Sequence, residues 1–205
     1  MPLIDVYADI ACPFAHVGLR SVTRRRHELG RDDVTMRVRA WPLELVNGRP
    51  HDADATGEHV ADIREQVASD LFEGFDRTRF PTTSLPAMAL EAAAYRQSAE
   101  VGEAVSLALR EALFEEGRDI SQPDVLHLVA EEFGVDAVTT EDEAQVRRDW
   151  EEGQGRGVQG SPHFYCGELE SFCPSLDISK DKAGRLHLRR DAAALDEFLA
   201  ECFKR

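Results

Sequence analysis

Four of the 205 residues are cysteines, Cys12, Cys166, Cys173 and Cys202, and one of them stands where a thiol can act as a nucleophile. Cys12 comes shortly after the run Leu3 to Tyr7 and is followed at once by Pro13, a residue tolerated at the first position of a helix. A cysteine at such a strand-to-helix turn lies beside unpaired backbone N–H groups and the positive end of the helix dipole. That placement favours thiolate. It brings a thiol from about 8.5 toward roughly 3.5 to 7.5, making it both a better-populated nucleophile and a better leaving group. The chemistry implied is that of a sulfur nucleophile, with a buried structural cysteine as the alternative.

The other candidate groups are weaker. His16 follows Cys12 by four residues and His163 opens a late strand, so either imidazole could stabilise the thiolate or shuttle a proton, with packing or a surface position as the alternative. A zinc site from Cys12, His163, Cys166 and Cys173 is unfavourable, because His163 and Cys166 on one short strand point to opposite faces, and no metal is expected. Gly155, Gly157 and Gly160 satisfy G-x-G-x-x-G, but a helix precedes them and a strand follows, the reverse of a dinucleotide fingerprint. Trp41 and Trp150 are expected in the core.

The elements that must position Cys12 are legible on either side of it. Leu3 to Tyr7 alternates as a strand, and Val17, Leu19, Val22 and Leu29 keep helical spacing up to a terminating Gly30. Val34 to Trp41 alternates again until Pro42 stops it. Strand, helix and strand at this length form a βαβ unit with parallel neighbours. From about Asn47 to Asp149 strand signals vanish and Ala, Glu, Leu and Arg dominate. Pro81 and Pro86 bracket a loop there, Gly117 closes a helix, and Ser121 to Asp124 reads as a helix start. Strand character returns at Pro162 to Cys166, turns at Gly167-Glu168 and resumes near Phe172. Leu186 to Leu188 adds a short piece, and Ala192 to Phe203 forms a last amphipathic helix. The expected architecture is α/β: a thioredoxin-like mixed sheet, β-α-β then β-β-α, divided by an inserted helical domain. The boundaries are 1–46 for the first half, 47–149 for the insertion and 150–205 for the second half.

A chain of this length buries a core without disulfide staples, and the irregular cysteine spacing suggests thiols in a reducing compartment. The amino terminus has an early acid and no basic n-region, so a cytoplasmic location is expected, with no membrane span. The net charge of −15 argues against nucleic acid, whose binding needs Lys and Arg to replace counterions. Arg24, Arg25 and Arg26 read as a solvated helix face.

Two stretches carry a family resemblance: Asp9-Ile10-Ala11-Cys12-Pro13-Phe14-Ala15-His16 and Gly157-Val158-Gln159-Gly160-Ser161-Pro162-His163-Phe164. Together they resemble the DsbA-like thioredoxin superfamily, on the branch that includes FrnE-like oxidoreductases, kappa-class glutathione transferases and 2-hydroxychromene-2-carboxylate isomerases. The resemblance implies that Pro162 is cis and lies beside Cys12. It also implies that the backbone of Ser161 pairs with a thiol-containing or extended substrate. Pro13, Phe14 and His163 would complete the substrate site, with Phe14 exposed beside the sulfur. The chain departs from the family's dithiol pattern at Ala15, where a resolving cysteine would stand. This leaves a monothiol cycle, resolved by a small thiol or by Cys166 or Cys173 from outside the motif. Cys-Pro-Phe-Ala is also similar to the monothiol omega-class glutathione transferases.

The expected function is a thiol-disulfide oxidoreductase or thiol transferase acting through Cys12. The alternatives are an enzyme like the kappa-class transferases or the chromene isomerases, and a redox-inactive binding protein of the same fold. No bound cofactor is expected, and a low-molecular-weight thiol would enter as co-substrate. Expected partners are a small thiol or disulfide and protein thiols; oligomeric state is open, with a homodimer among the options.

Overall fold

The computed structural model describes residues 3–182 and 184–204. It opens with the βαβ unit: β1 (Leu3–Ala8), α1 (Pro13–Glu28) and β2 (Thr35–Ala40). Pro13 starts α1 as a residue with no N–H to leave unpaired. The helix stops where Gly30 takes φ +63° and its neighbour Arg31 donates its N–H back to Arg26 O, a left-handed terminator that glycine accepts at no steric cost.

The helical block follows as α2 (Leu43–Asn47), α3 (Ala53–Gln66), a 3-10 turn at Arg77–Arg79, α4 (Leu85–Gln97), α5 (Ala99–Phe114), α6 (Pro123–Phe133) and α7 (Thr140–Gly155). Its helices begin where side chains take up orphan amides: Asp52 for α3, Ser98 for α5, and a Thr139–Asp142 capping box for α7. Pro86 lies inside the first turn of α4 rather than bounding a loop. The chain then returns through β3 (His163–Cys166), β4 (Leu169–Phe172), β5 (Leu176–Lys180), β6 (Leu186–Arg190) and α8 (Ala192–Phe203).

The main sheet has the order β2-β1-β3-β4, with β1 parallel to β2 and antiparallel to β3. Val6 sits opposite Val38 on one side and Phe164 on the other. Ile4, Val6, Ala8, Met36, Val38 and Phe164 pack with Leu19 and Val22 of α1 and with Leu195 and Leu199 of α8. Tyr7, Trp41 and Tyr165 form the opposite layer, with Trp150 of α7 packed against them. Gly153 is what lets α7 come down there, since a Cβ would lie 2.7 Å from the Trp41 ring. The helical block has its own core around Ile63, Phe72, Met88, Leu109 and Phe114.

The block is fastened to the sheet along the outer edge of β2. The outward N–H groups of Met36, Val38 and Ala40 donate to Glu103 Oε2, Tyr95 Oη and Asp149 Oδ2 at 2.9, 2.9 and 3.2 Å. Tyr95 donates its hydroxyl to Met36 O at 3.2 Å, and Arg26 donates to Val34 O and to the Glu103 carboxylate. Arg26 is therefore part of this seam, not of a solvated face, because it is only 12% exposed. Behind it, fully buried Arg110 of α5 donates to Glu91 of α4 at 3.1 Å and to Ser106.

Strands β5 and β6 form a separate two-stranded sheet against α3 instead of extending the main one. Gln66 imitates a strand beside β6, accepting from Leu188 N–H at 2.8 Å and donating to Leu186 O at 3.2 Å. Among the described residues no helix is long and apolar enough to cross a membrane.

Candidate active site

The turn from β1 into α1 is set by Asp9, which is fully buried. Its Oδ1 accepts the Ala11 N–H at 2.8 Å and its Oδ2 the Leu43 N–H at 2.6 Å, while its own N–H donates to Ser161 Oγ at 2.9 Å. Cys12 is the N-cap of α1, and its Sγ donates to Ser161 O at 3.2 Å. Ser161 thus clips both ends of the Asp9–Cys12 turn across 149 residues of sequence. The Ser161–Pro162 peptide is cis. Gly18 lets α1 pass close by, since a Cβ there would lie 3.1 Å from Pro162 Cγ.

The titration of Cys12 runs against the sequence expectation. Burial pushes the thiol up from its ordinary value, and the nearby Asp9 carboxylate adds to the rise. A hydrogen bond with Ser161 and the Ala15 and Phe14 amides pull the other way without winning. The helix terminus is where the sequence put it. However, Cys12 is packed among Ala8, Ala15 and Phe164 with only 4% of its surface exposed, and desolvation of a thiolate outweighs what the amides return.

Cys12 opens on a cavity of about 280 Å³ walled by Ser161, Pro13, Phe14 and Leu43 and, from the helical block, by Arg49, His51 and His59. Phe14 is half-buried rather than exposed, its ring centroid 5.4 Å from that of His59. Burial, with a contribution from Lys180, lowers the His59 pKa against the opposing effect of Asp62 and Glu58. The His51 side chain is 7% exposed; its Nε2 lies 3.2 Å from Ser84 Oγ and 3.7 Å from Asp9 Oδ2. Sequence reading missed His51, because it sits in a polar loop with no periodicity. It also passed over Asp9 as a functional group, although an acid three residues before the cysteine at a strand end is a visible signal.

Of the residues singled out in sequence, Cys12, Pro13, Phe14 and Ser161 meet at this cavity, with Pro162 directly behind Ser161. His16 and His163 do not line it. His16 packs between Phe72 and Phe114 with Nε2 2.7 Å from Glu115 Oε1, tying α1 to the helical block. Burial lowers the His16 pKa, although Glu115 opposes the shift. Glu115, despite the cost of burial, is held below the usual carboxylate range by His16 and by the Phe72 and Glu73 amides. His163 lies on the aromatic face of the sheet. Its Nδ1 accepts the Gln159 N–H at 3.2 Å and lies 3.2 Å from the Tyr165 hydroxyl. Cys166 packs in the layer under α1. Cys173 follows β4 at φ +51° and donates its N–H to Pro162 O at 3.2 Å. Burial, with the Cys12 charge adding, pushes its thiol up to about 12. Cys12, Cys166 and Cys173 are buried and not disulfide-bonded.

The profile of the DSBA-like thioredoxin domain matches residues 3–179. Solved structures share the fold at low identity. A cytosolic disulfide reductase, DsbM from Pseudomonas aeruginosa, is 15% identical with TM-score 0.64, covering 98% of this chain and 97% of its own. A 2-hydroxychromene-2-carboxylate isomerase is 16% identical with TM-score 0.63, covering 83% and 88%. ScsC from Proteus mirabilis in a compact conformation is 11% identical with TM-score 0.55, covering 100% and 82%. No curated protein matches the chain in sequence.

Proposed function

The chain belongs to the DSBA-like thioredoxin domain family, and from that premise we propose that it is a monothiol thiol-disulfide oxidoreductase or thiol transferase working through Cys12. The observation that supports this reading is the pairing of Cys12 Sγ with the carbonyl of Ser161, directly before the cis Pro162, at a cavity of about 280 Å³. In the reading, a substrate sulfur enters that cavity and an extended segment beside it takes over the Ser161 carbonyl. Sγ, released from that acceptor, attacks the substrate disulfide. Cys12 is left in a mixed disulfide and the departing half leaves as a thiol. Ala15 supplies no thiol to resolve this intermediate, so a second small thiol does, regenerating Cys12 and yielding a new disulfide. The Pseudomonas reductase has been solved with GSH, which makes a low-molecular-weight thiol the natural co-substrate to test first. The same reading places the protein in a reducing compartment, the cytoplasm, with small disulfides and protein thiols as partners.

A raised thiol does not remove the chemistry, since a base that takes the proton as the sulfur attacks lets a thiol react below its own ionisation. Incubating the reduced protein with an excess of oxidised glutathione and mapping the adduct by mass tests the proposal. One glutathionyl group on Cys12, released by added thiol and absent in Cys12→Ser, is the expected result. An intramolecular disulfide between Cys12 and Cys173 would instead make Cys173 the resolving group. No adduct on Cys12 would leave a binding protein of this fold.

A further inference from the structure

The proton on Cys12 has no obvious place to go. Its present acceptor, the Ser161 carbonyl, cannot take it, and the Asp9 carboxylate already accepts two backbone amides. The cavity wall holds two imidazoles that can. His59 has its ring against Phe14 and is half-buried. His51 is more deeply set and is aimed inward, with Nε2 facing Asp9 Oδ2 and Ser84 Oγ and the ring edge-on to Phe80. The backbone N–H of His51 donates to Thr82 O at 3.3 Å, which anchors the chain at that residue.

The geometry points to His51, steadied by Asp9, as the proton carrier of the Cys12 site. This inference rests on the function proposed above and adds to it the group that moves the proton. Imidazole is the side chain whose charge changes nearest neutral pH, which suits it to hold a proton for one step and return it in the next. In the forward step His51 takes the Cys12 proton, directly or through one water in the cavity. The Cys12 thiolate attacks one sulfur of the substrate disulfide, the S–S bond breaks, and the leaving thiolate takes the proton back from His51. The substrate disulfide is the oxidant, one of its sulfurs leaves as thiol, and no further reactant is needed. Asp9 Oδ2, 3.7 Å from Nε2, keeps the ring oriented between the two transfers.

The groups facing His51 from every side are Asp9 before α1, Glu44 of α2 at 4.0 Å, Cys12 at the head of α1, and Arg49, Asp52 and His59 around the cavity. Of the acids among these, Asp9 and Glu44 lie 3.7 and 4.0 Å from Nε2. Asp52 is engaged instead in capping α3.

The test is the pH dependence of iodoacetamide alkylation at Cys12, read peptide by peptide by mass so that the other cysteines do not interfere. The wild type, H51Q and H59Q are compared, each with its thermal melting curve. The expected result is a wild-type profile with a low-pH limb, below the raised ionisation of Cys12, in which neutral imidazole takes the proton as the sulfur attacks. H51Q should lose that limb and react on the order of 10²-fold more slowly near neutral pH, while rejoining the wild type at high pH where hydroxide does the work. H59Q should keep the limb. A folded H51Q with the wild-type profile overturns the inference, as does loss of the limb in H59Q alone. If H51Q does not fold, H51N is read against the same criterion. Because alkylation needs no disulfide substrate, this outcome is separate from that of the glutathione experiment. A Cys12 that takes no glutathionyl group but shows the His51-dependent limb would sink the proposed function and leave the proton carrier standing.

Discussion

The helical block meets the sheet in two places that are built in opposite ways. Along β2 the contact is saturated: the outward N–H groups of Met36, Val38 and Ala40 each find an oxygen from α4, α5 or α7. At the end of β1 the same two bodies face each other across a cavity of about 280 Å³, with a thiol on one wall and two imidazoles on the other. An edge strand with unpaired amides invites other chains, and its capping by side chains both closes it and fixes the block in place. The cavity leaves room for a ligand beside titratable groups. The seam joins the two bodies, and the cavity is where they stand apart.

Substitutions should therefore separate the two. Removing Cys12 should abolish mixed-disulfide formation outright and leave the unfolding midpoint nearly unchanged, as measured by urea denaturation of Cys12→Ser. At the seam the order is reversed. Glu103→Ala removes the acceptor of the Met36 N–H and leaves Arg26 buried without its carboxylate, a loss of about 3–5 kcal/mol. Tyr95→Phe deprives the Val38 N–H and the Met36 carbonyl of their partner and should cost about 1–3 kcal/mol. Both should alkylate at Cys12 with wild-type pH dependence while folded. A seam variant that altered this profile would show the two regions to be coupled.

The smallest effect lies on the helix that joins them. The fold favours neutral His16, lowering its pKa from the ordinary 6.5. In the unfolded chain His16 binds a proton at a higher pH than in the folded one, so its contribution is complete above about 6.5 and is lost as pH falls through the folded value. Urea midpoints should drop between pH 7.5 and 5.5, and the slope should shrink in His16→Gln, leaving the share of His59 and His163, which are lowered in the same direction.

What was readable in the sequence was the part governed by local pattern. Alternation and Pro13 place Cys12 at a strand-to-helix turn, and the mixed sheet interrupted by helices follows from the order of elements. Strand β5 escaped notice because Leu176 to Lys180 is short and pairs only with β6 against α3, where Gln66 finishes the edge. The direction of the Cys12 titration was unreadable for a different reason. A helix terminus is a local property, whereas the burial that outweighs it needs the packed sheet, with Phe164 from late in the chain beside Cys12. His51 belongs to the same class, since only the folded chain brings it to Asp9.

The span between Cys12 and Ser161 has a consequence for how the protein is made. At about 5–20 residues per second, synthesis takes roughly 7–30 s to go from one to the other. Until then β1 lacks its β3 neighbour, the Ser161 clip does not exist, and nothing shields the sulfur that the finished fold encloses. A nascent chain therefore carries this sulfur without its Ser161 partner through most of translation. Any oxidant in that interval meets Cys12 before the cavity beside it has been built.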